Sequence, residues 1–365
     1  MMLYLHIPFC VQKCLYCDFC SLPGQGAETL AAYAAALCRE LELRACREEI
    51  TSVFLGGGTP SLLPEDALAS IFEAIGRNYS LSADCEISLE ANPGTLRREF
   101  LRTARAAGVN RLSIGVQALQ DRLLRSIGRI HSAAQAKQAL DLAREAGFEN
   151  LSVDLMYALP GQSEADLLES VDFVLAEGLP HVSLYALTVE PRTPFGRLQR
   201  QGKLDLPGEE AELAMQGAAM ARLAEGGLQR YEVSNFARPG LECRHNLGYW
   251  QRAPYLGLGL AAHGFDGRAR YANTEDLGLY LSALSRNELP PGERQALAPG
   301  EAEEEELLLG LRMVRGVELA PARLAALAPR LDPLLRAGFL TLQGRRLALT
   351  EKGFPVMNAL LVRLL

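Results

Sequence analysis

Several things are scarce in this chain of 365 residues, and each scarcity narrows what it can be. No run of eighteen apolar residues occurs, so nothing reads as a membrane-spanning helix. Positive charge is in short supply: 37 Lys and Arg face 44 Asp and Glu, and the net charge of −7 argues against the basic footprint of a nucleic-acid binder. A secretory leader is not in evidence either, because the strand-like Leu3-Tyr4-Leu5 gives way at once to His6 and Cys10. A cytoplasmic protein without a nucleic-acid partner is the expectation. Tryptophan is nearly missing, with one copy at position 250, which makes its neighbourhood worth reading closely. Cysteine is present eight times but not in the even spread of a disulfide framework; Cys10, Cys14, Cys17 and Cys20 crowd together and the other four are scattered. Crowded thiols in a reducing compartment suggest a metal.

The length suits a barrel-sized domain followed by a smaller one. From residue 1 to about 238, β-rich runs alternate with amphipathic helical stretches, as in a parallel sheet wrapped by crossover helices. Strands are expected at Met2 to Ile7, Ser52 to Gly56, Cys85 to Ala91, Arg111 to Gln117, Leu151 to Leu159 and His181 to Val189, with helices near 27–46, 64–78, 95–107, 133–146 and 163–177. Six βα units are fewer than the eight of a complete barrel, so the expected fold is α/β: a partial (β/α)6 barrel with its site at the C-terminal strand ends. A doubly wound sheet stays open as the alternative, since strand periodicity does not report closure. Residues 239–298, rich in Gly and aromatic side chains from Cys243 to Tyr271, read as a loop region and linker. Residues 299–365 begin with the acidic run Glu301 to Glu306 and carry helices and short strands in the order of a small winged-helix-like α+β domain. With this charge, a lid or docking role is expected of it rather than DNA binding.

Cys10-Val-Gln-Lys-Cys14-Leu-Tyr-Cys17 places three thiols at C-x-x-x-C-x-x-C spacing, directly after the first strand. Three thiolates on a [4Fe-4S] cluster leave one iron open to a small chelating molecule, whereas structural zinc wants four protein ligands in a closed shell. Zinc completed by Cys20 or His6 is the competing assignment. Further on, Gly56-Gly57-Gly58-Thr59 after the second strand offers bare backbone for close approach of a ligand. Glu90, Gln117 and Asp154 stand in or at the end of apolar strands, where a carboxylate is costly to bury unless a ligand or strand-end hydrogen bonds satisfy it.

The cysteine spacing, Tyr16 before the third cysteine, and the lead-in Tyr4-Leu-His-Ile-Pro-Phe-Cys10 resemble the radical S-adenosylmethionine enzymes. That resemblance implies that S-adenosylmethionine chelates the open iron and is cleaved to a 5′-deoxyadenosyl radical by an electron from the cluster. It further implies that Tyr4, Tyr16, Gly57, Gly58, Thr59, Glu90, Gln117, Arg129 and Asp154 belong to the cofactor site.

Within that superfamily, His6-Ile7-Pro8-Phe9-Cys10 and the small C-terminal domain resemble the oxygen-independent coproporphyrinogen III oxidase-like group. Two departures set the chain apart from the oxidase: Cys10 lies almost at the start, with no long arm before it, and Phe19 stands where a fourth cysteine is typical. Decarboxylation is therefore not expected. The run His245-Asn-Leu-Gly-Tyr249-Trp250 is similar instead to the H-N-x-x-Y-W motif of the group's haem-chaperone branch. The resemblance implies haem as cargo, an acceptor protein such as a respiratory haemoprotein, and peripheral membrane association through that acceptor. Chemically, an imidazole can ligate haem iron and two aromatic rings can cover a porphyrin face. His245 is thus expected as an axial ligand on a mobile, Gly-flanked loop, with Tyr249 and Trp250 as contacts and the haem between the barrel mouth and the C-terminal domain. His263 and Cys243 are weaker candidates beside it. The alternative function is that of an oxygen-independent coproporphyrinogen III oxidase or of another radical S-adenosylmethionine enzyme acting on a porphyrin.

Overall fold

The computed structural model describes residues 1–365, the side chain of residue 299 excepted. Six strands, β1 (Met2–Ile7), β2 (Ile50–Gly57), β3 (Leu81–Ala91), β4 (Arg111–Gln117), β5 (Asn150–Tyr157) and β6 (His181–Ala186), lie side by side in sequence order and are parallel throughout. A doubly wound sheet reverses its strand order at a switch point. None occurs here, so the sheet curls in one direction as a barrel. It does not close: Tyr255–Leu258 pairs in parallel with the free edge of β1, and Asn235–Ala237 pairs antiparallel with β6.

Alternation along the strands decides what the barrel holds. Leu112, Ile114 and Val116 of β4 face outward and are fully buried in the main hydrophobic core. The crossover helices, among them α1 (Ala27–Leu43), α2 (Glu65–Asn78) and α3 (Arg98–Ala106), supply the other half of that core. The opposite face carries Arg111, Ser113, Gly115 and Gln117, and neighbouring strands add Glu86, Ser88 and Glu90, Ser152 and Asp154, and His181 and Ser183 to the same interior. The lumen is therefore polar along its whole length, which an apolar-filled barrel core is not.

The stretch expected to be a loop is ordered. Helices α4 (Asp121–Ser126), α5 (Ala133–Glu145), α6 (Glu164–Ala176), α7 (Pro194–Arg200) and α8 (Glu209–Glu225) are followed by α9 (Arg244–Trp250), which carries the motif. Then come Tyr255–Leu258, His263–Phe265, Ala269–Asn273 and Gly292–Ala296, which extend the barrel sheet as consecutive neighbours, with α10 (Leu277–Ser285) among them. Glycine here serves packing rather than mobility: a Cβ on Gly264 would collide with the Tyr271 ring across the strand pair. At the other edge of the sheet the short strands Asn235–Ala237 and Gln229–Arg230 pair antiparallel. The C-terminal domain, α11 (Pro299–Gly310), α12 (Pro321–Arg336), α13 (Met357–Leu364) and a three-stranded antiparallel sheet, has its own core around Leu311, Leu331, Leu347 and Leu364. It is fastened to the barrel by Arg230, whose guanidinium stacks on Phe354 at 3.8 Å and pairs with Glu351 at 2.6 Å. Among the described residues no helix is long and apolar enough to cross a membrane.

Candidate functional site

At the C-terminal end of the strands lies a pocket of about 620 Å³ whose wall includes Cys10, Cys14 and Cys17. The competing zinc assignment needs a fourth ligand, and its two candidates are turned away. His6 has both ring nitrogens engaged, with the Tyr4 hydroxyl at 2.9 Å and the Cys20 carbonyl at 3.0 Å, and Cys20 packs against the hydrophobic core outside the pocket. Three thiols with an open side suit a four-iron cluster.

A polar belt backs the thiols. Thr59 Oγ1 lies 3.7 Å from Cys10 Sγ and accepts a hydrogen bond from Asn92 Nδ2 at 2.6 Å; Asn92 Oδ1 in turn accepts from Arg129, whose second guanidinium nitrogen lies 3.7 Å from Cys14 Sγ. Arg129 also donates to the Gly115 carbonyl. One cation thus faces thiols that would be thiolates in a cluster, and it is held rigid by a carbonyl and an amide. Asn92 was not expected from the sequence, where Asn-Pro after a strand looks like an ordinary turn.

The pocket's polar groups come from the strand ends. Gly57 adopts φ 108° and donates its N–H to Glu90 Oε2 at 2.9 Å, and a Cβ there would run into the His6 ring. Gln117 sits at a bulge with φ 69°, a strained setting for a residue with a side chain, and lines the pocket. Asp154 accepts a hydrogen bond from Ser113 Oγ at 3.1 Å, and burial pushes its carboxyl up. Glu90 is pushed up to about 7, first by burial and then by the charge of Asp154. Two buried carboxyls side by side, one poised near neutrality, are the arrangement a cationic ligand stabilises.

Of the expected cofactor residues, Tyr16, Gly57, Gly58, Glu90, Gln117, Arg129 and Asp154 line this pocket. Tyr4 and Thr59 do not. Tyr4 stands behind the wall and holds His6, while Thr59 is almost fully buried in the belt. Met156, Tyr185 and Glu190 also line it and had no sequence signal beyond their place at or after strand ends.

The His-Asn-x-x-Tyr-Trp motif is at the other end. Ser52 lies near the start of β2, Gly57 ends it, and at about 3.3 Å per residue the two are roughly 16 Å apart. His245 Nδ1 is 2.8 Å from Ser52 Oγ, and its Nε2 is 2.9 Å from the Tyr249 hydroxyl. The Glu86 carboxylate accepts from the backbone N–H groups of Arg244 at 2.9 Å and His245 at 3.1 Å, and Cys243 Sγ lies 3.4 Å from it. Arg111, fully buried, shares this floor with His181, which bonds Ser152 at 2.7 Å and Tyr231 at 2.8 Å. Burial and then the nearby Arg111 push His245 down to about 3, so its imidazole is neutral. The expected accessible ligand on a mobile loop is corrected here: His245 is fully buried, both nitrogens are occupied, and the motif seals the N-terminal end of the barrel, away from the mouth. His263 is exposed and Cys243 is buried in the floor.

Beside this floor, Tyr249 and Trp250 line a cleft of about 630 Å³ whose far wall is α11 of the C-terminal domain.

These two ends can be compared with known proteins. Residues 4–174 match the radical SAM superfamily and residues 297–356 the HemN C-terminal domain. The heme chaperone HemW of Mycobacterium tuberculosis is 39% identical over 367 residues, covering 99% of this chain and 94% of that protein. Its namesakes in Bacillus subtilis (39% over 318 residues, 86% and 84%) and Escherichia coli (35% over 374 residues, 98% and 96%) are similar in the same way. The solved structure of coproporphyrinogen III oxidase (HemN) from Escherichia coli superposes with a TM-score of 0.85 over 100% of this chain and 89% of that one; at 24% identity this bears on the fold. With identity of this order over nearly the full length of both chains, the chain belongs to the HemW family of the radical SAM superfamily.

Proposed function

We propose that the chain is a cytoplasmic haem chaperone: it binds haem at the motif end, passes it to an acceptor haemoprotein, and carries a [4Fe-4S] cluster on Cys10, Cys14 and Cys17 with S-adenosylmethionine at the opposite end. The observation that carries this reading is the pairing of a sealed, aromatic motif with an adjoining cleft, remote from an intact cofactor pocket. Its relatives are named for haem, and the motif they suggest sits where a flat apolar cargo would meet Tyr249 and Trp250.

When bound, the cluster would supply an electron to S-adenosylmethionine on its open iron. The chain's own residues do the rest. Glu90 and Asp154 would hold the cationic end of the ligand, Gly57 and Gly58 would admit it, and Arg129 would offset thiolate charge. At the other end, His245 Nε2 is bonded to the Tyr249 hydroxyl and Tyr249 lines the cleft, so His245 would be the residue to hold haem iron if Tyr249 gave way, with Ser52 keeping the imidazole oriented through Nδ1. An acceptor in a respiratory assembly would account for peripheral membrane association.

Decarboxylation of coproporphyrinogen is not part of this reading, because the exposed Phe19 sits at the pocket rim where the oxidase typically has a cysteine. The test is anaerobic purification and reconstitution, haem titration followed in the Soret region, and transfer to an apo-acceptor. One haem bound per chain and handed on supports the reading. Protoporphyrinogen formed from coproporphyrinogen with a reductant, without haem uptake, replaces it by the enzyme.

A further inference from the structure

The wall of the cleft opposite Tyr249 contains a built carboxylate seat. Arg252, at the end of α9, is held at φ 58°, a backbone conformation that side chains other than glycine rarely adopt. It directs its guanidinium over the Phe265 ring at 4.8 Å, and Arg270 from the adjoining strand covers the same ring at 4.7 Å. Phe265 itself is buried, so the two cations are fixed by stacking. Between them they grip one carboxylate: Arg252 Nε donates to Glu305 Oε2 at 2.5 Å and Arg270 Nε to Glu305 Oε1 at 2.6 Å. Glu305 belongs to α11, the first helix of the C-terminal domain, and its side chain is only 19% exposed. Aromatic and aliphatic side chains make up much of the rest of the lining, with Tyr249, Trp250 and Tyr255 on the barrel side and Leu308 and Leu309 on α11. Glu301 and Glu304 also line the cleft from α11 and would repel an incoming carboxylate, which leaves the arginine pair as the one place for it.

An apolar cleft of about 630 Å³, with two arginines already arranged around a carboxylate, fits a flat apolar molecule that ends in carboxylates. Resting on the haem-carrier reading, we propose that this cleft seats haem with its propionates on Arg252 and Arg270, and that a propionate displaces Glu305. Exchange of one carboxylate for another leaves the arginines paired throughout, so loading costs little charge desolvation. It does remove a tie between α11 and the barrel. Haem loading therefore loosens the C-terminal domain, and re-seating of Glu305 favours release of the cargo. One carboxylate of the protein thus competes with its own ligand, which suits a carrier that must hold and let go.

The experiment is haem titration of the full-length chain, wild type, Arg270→Gln and Glu305→Gln, with haem and with its dimethyl ester as probes. Arg270→Gln is expected to weaken haem binding about tenfold, the loss of one charge-assisted carboxylate contact, and to leave the ester's binding unchanged. Glu305→Gln is expected to tighten haem binding several-fold, a direction that general damage to the fold does not produce. Hydrogen exchange should rise in α11 of the wild type on adding haem and not on adding the ester. Wild type that binds haem and its ester equally, with both variants indistinguishable from it, overturns the seat but leaves the haem-carrier reading standing. Wild type that binds no haem overturns the reading itself.

Discussion

The two ends of this barrel are built from the same kind of material and put to opposite use. At the C-terminal end, Glu90, Asp154 and Gln117 project into open space, one carboxyl poised near neutrality and one backbone held in strain. At the N-terminal end, Glu86, His181 and His245 are turned onto backbone N–H groups and onto serine and tyrosine hydroxyls around the buried Arg111. The first arrangement waits for a ligand, whereas the second acts as a latch. Buried polar groups therefore do not announce a binding site by themselves; what distinguishes the ends is whether the groups satisfy each other.

Variants that hit one end and spare the other should sharpen this contrast. The largest effect belongs to the cluster loop: Cys14→Ala should lose most of about four irons per reconstituted chain, while Cys20→Ala keeps them, measured by iron and sulfide analysis. Equal loss from both would return Cys20 to the ligand set. At the latch, Glu86→Ala strips the acceptor from two backbone N–H groups and removes a carboxylate whose charge is felt by the buried Arg111. Leaving a buried N–H group unpaired typically costs about 1–3 kcal/mol, read as a drop in the urea midpoint; a change under about 1 kcal/mol would mean that the floor is not the latch described here.

The ends should also differ in the sign of their pH response. Glu90 titrates at about 7 in the folded chain against 4.5 unfolded, so its contribution to stability is full below the unfolded value and is lost as pH rises through the folded one. A cationic ligand reverses that loss. S-adenosylmethionine affinity should climb as pH is raised toward and through about 7, by at most about tenfold per unit, and Glu90→Gln should flatten the curve in calorimetry. His245 behaves oppositely: its folded value of about 3 lies below the ordinary 6.5, so its contribution is full above 6.5 and is lost as pH falls toward 3. Stability should fall by up to about 1.4 kcal/mol per pH unit in that window, and less steeply in His245→Asn. The smallest effect is expected from Tyr249→Phe. It frees His245 Nε2 from its hydroxyl partner for about 1 kcal/mol of stability, and it should move the haem spectrum toward imidazole ligation rather than away from it. A spectrum identical to wild type would remove Tyr249 from the path to the iron.

The barrel was legible because alternation is local. Leu112, Ile114 and Val116 against Arg111, Ser113 and Gln117 state both faces of one strand within seven residues, and all six core strands were placed from such runs. The clustering of Glu90, Gln117 and Asp154 about one pocket was legible for the same reason, since they stand in or at the end of strands. Asn92 was not, because its value comes from Arg129 and Thr59, which reach it through the fold. The motif shows the limit most clearly. Its residues were found, but the partners that bury His245, Ser52 and Glu86, lie 193 and 159 residues away, and no local pattern distinguishes a buried imidazole from an exposed one. The strands after it were missed because they are three to five residues long and owe their order to pairing with β1 at the far end of the chain.

If cargo and cofactor occupy opposite ends of the barrel, haem titration of a chain lacking all three cluster cysteines will show it. With Cys10, Cys14 and Cys17 changed to alanine and folding verified by circular dichroism, one haem per chain should still bind with the Soret position of the wild type, and Trp250→Ala in the same background should weaken it. Loss of haem binding together with the cysteines, in a folded chain, would place the cargo at the cluster end and contradict the account.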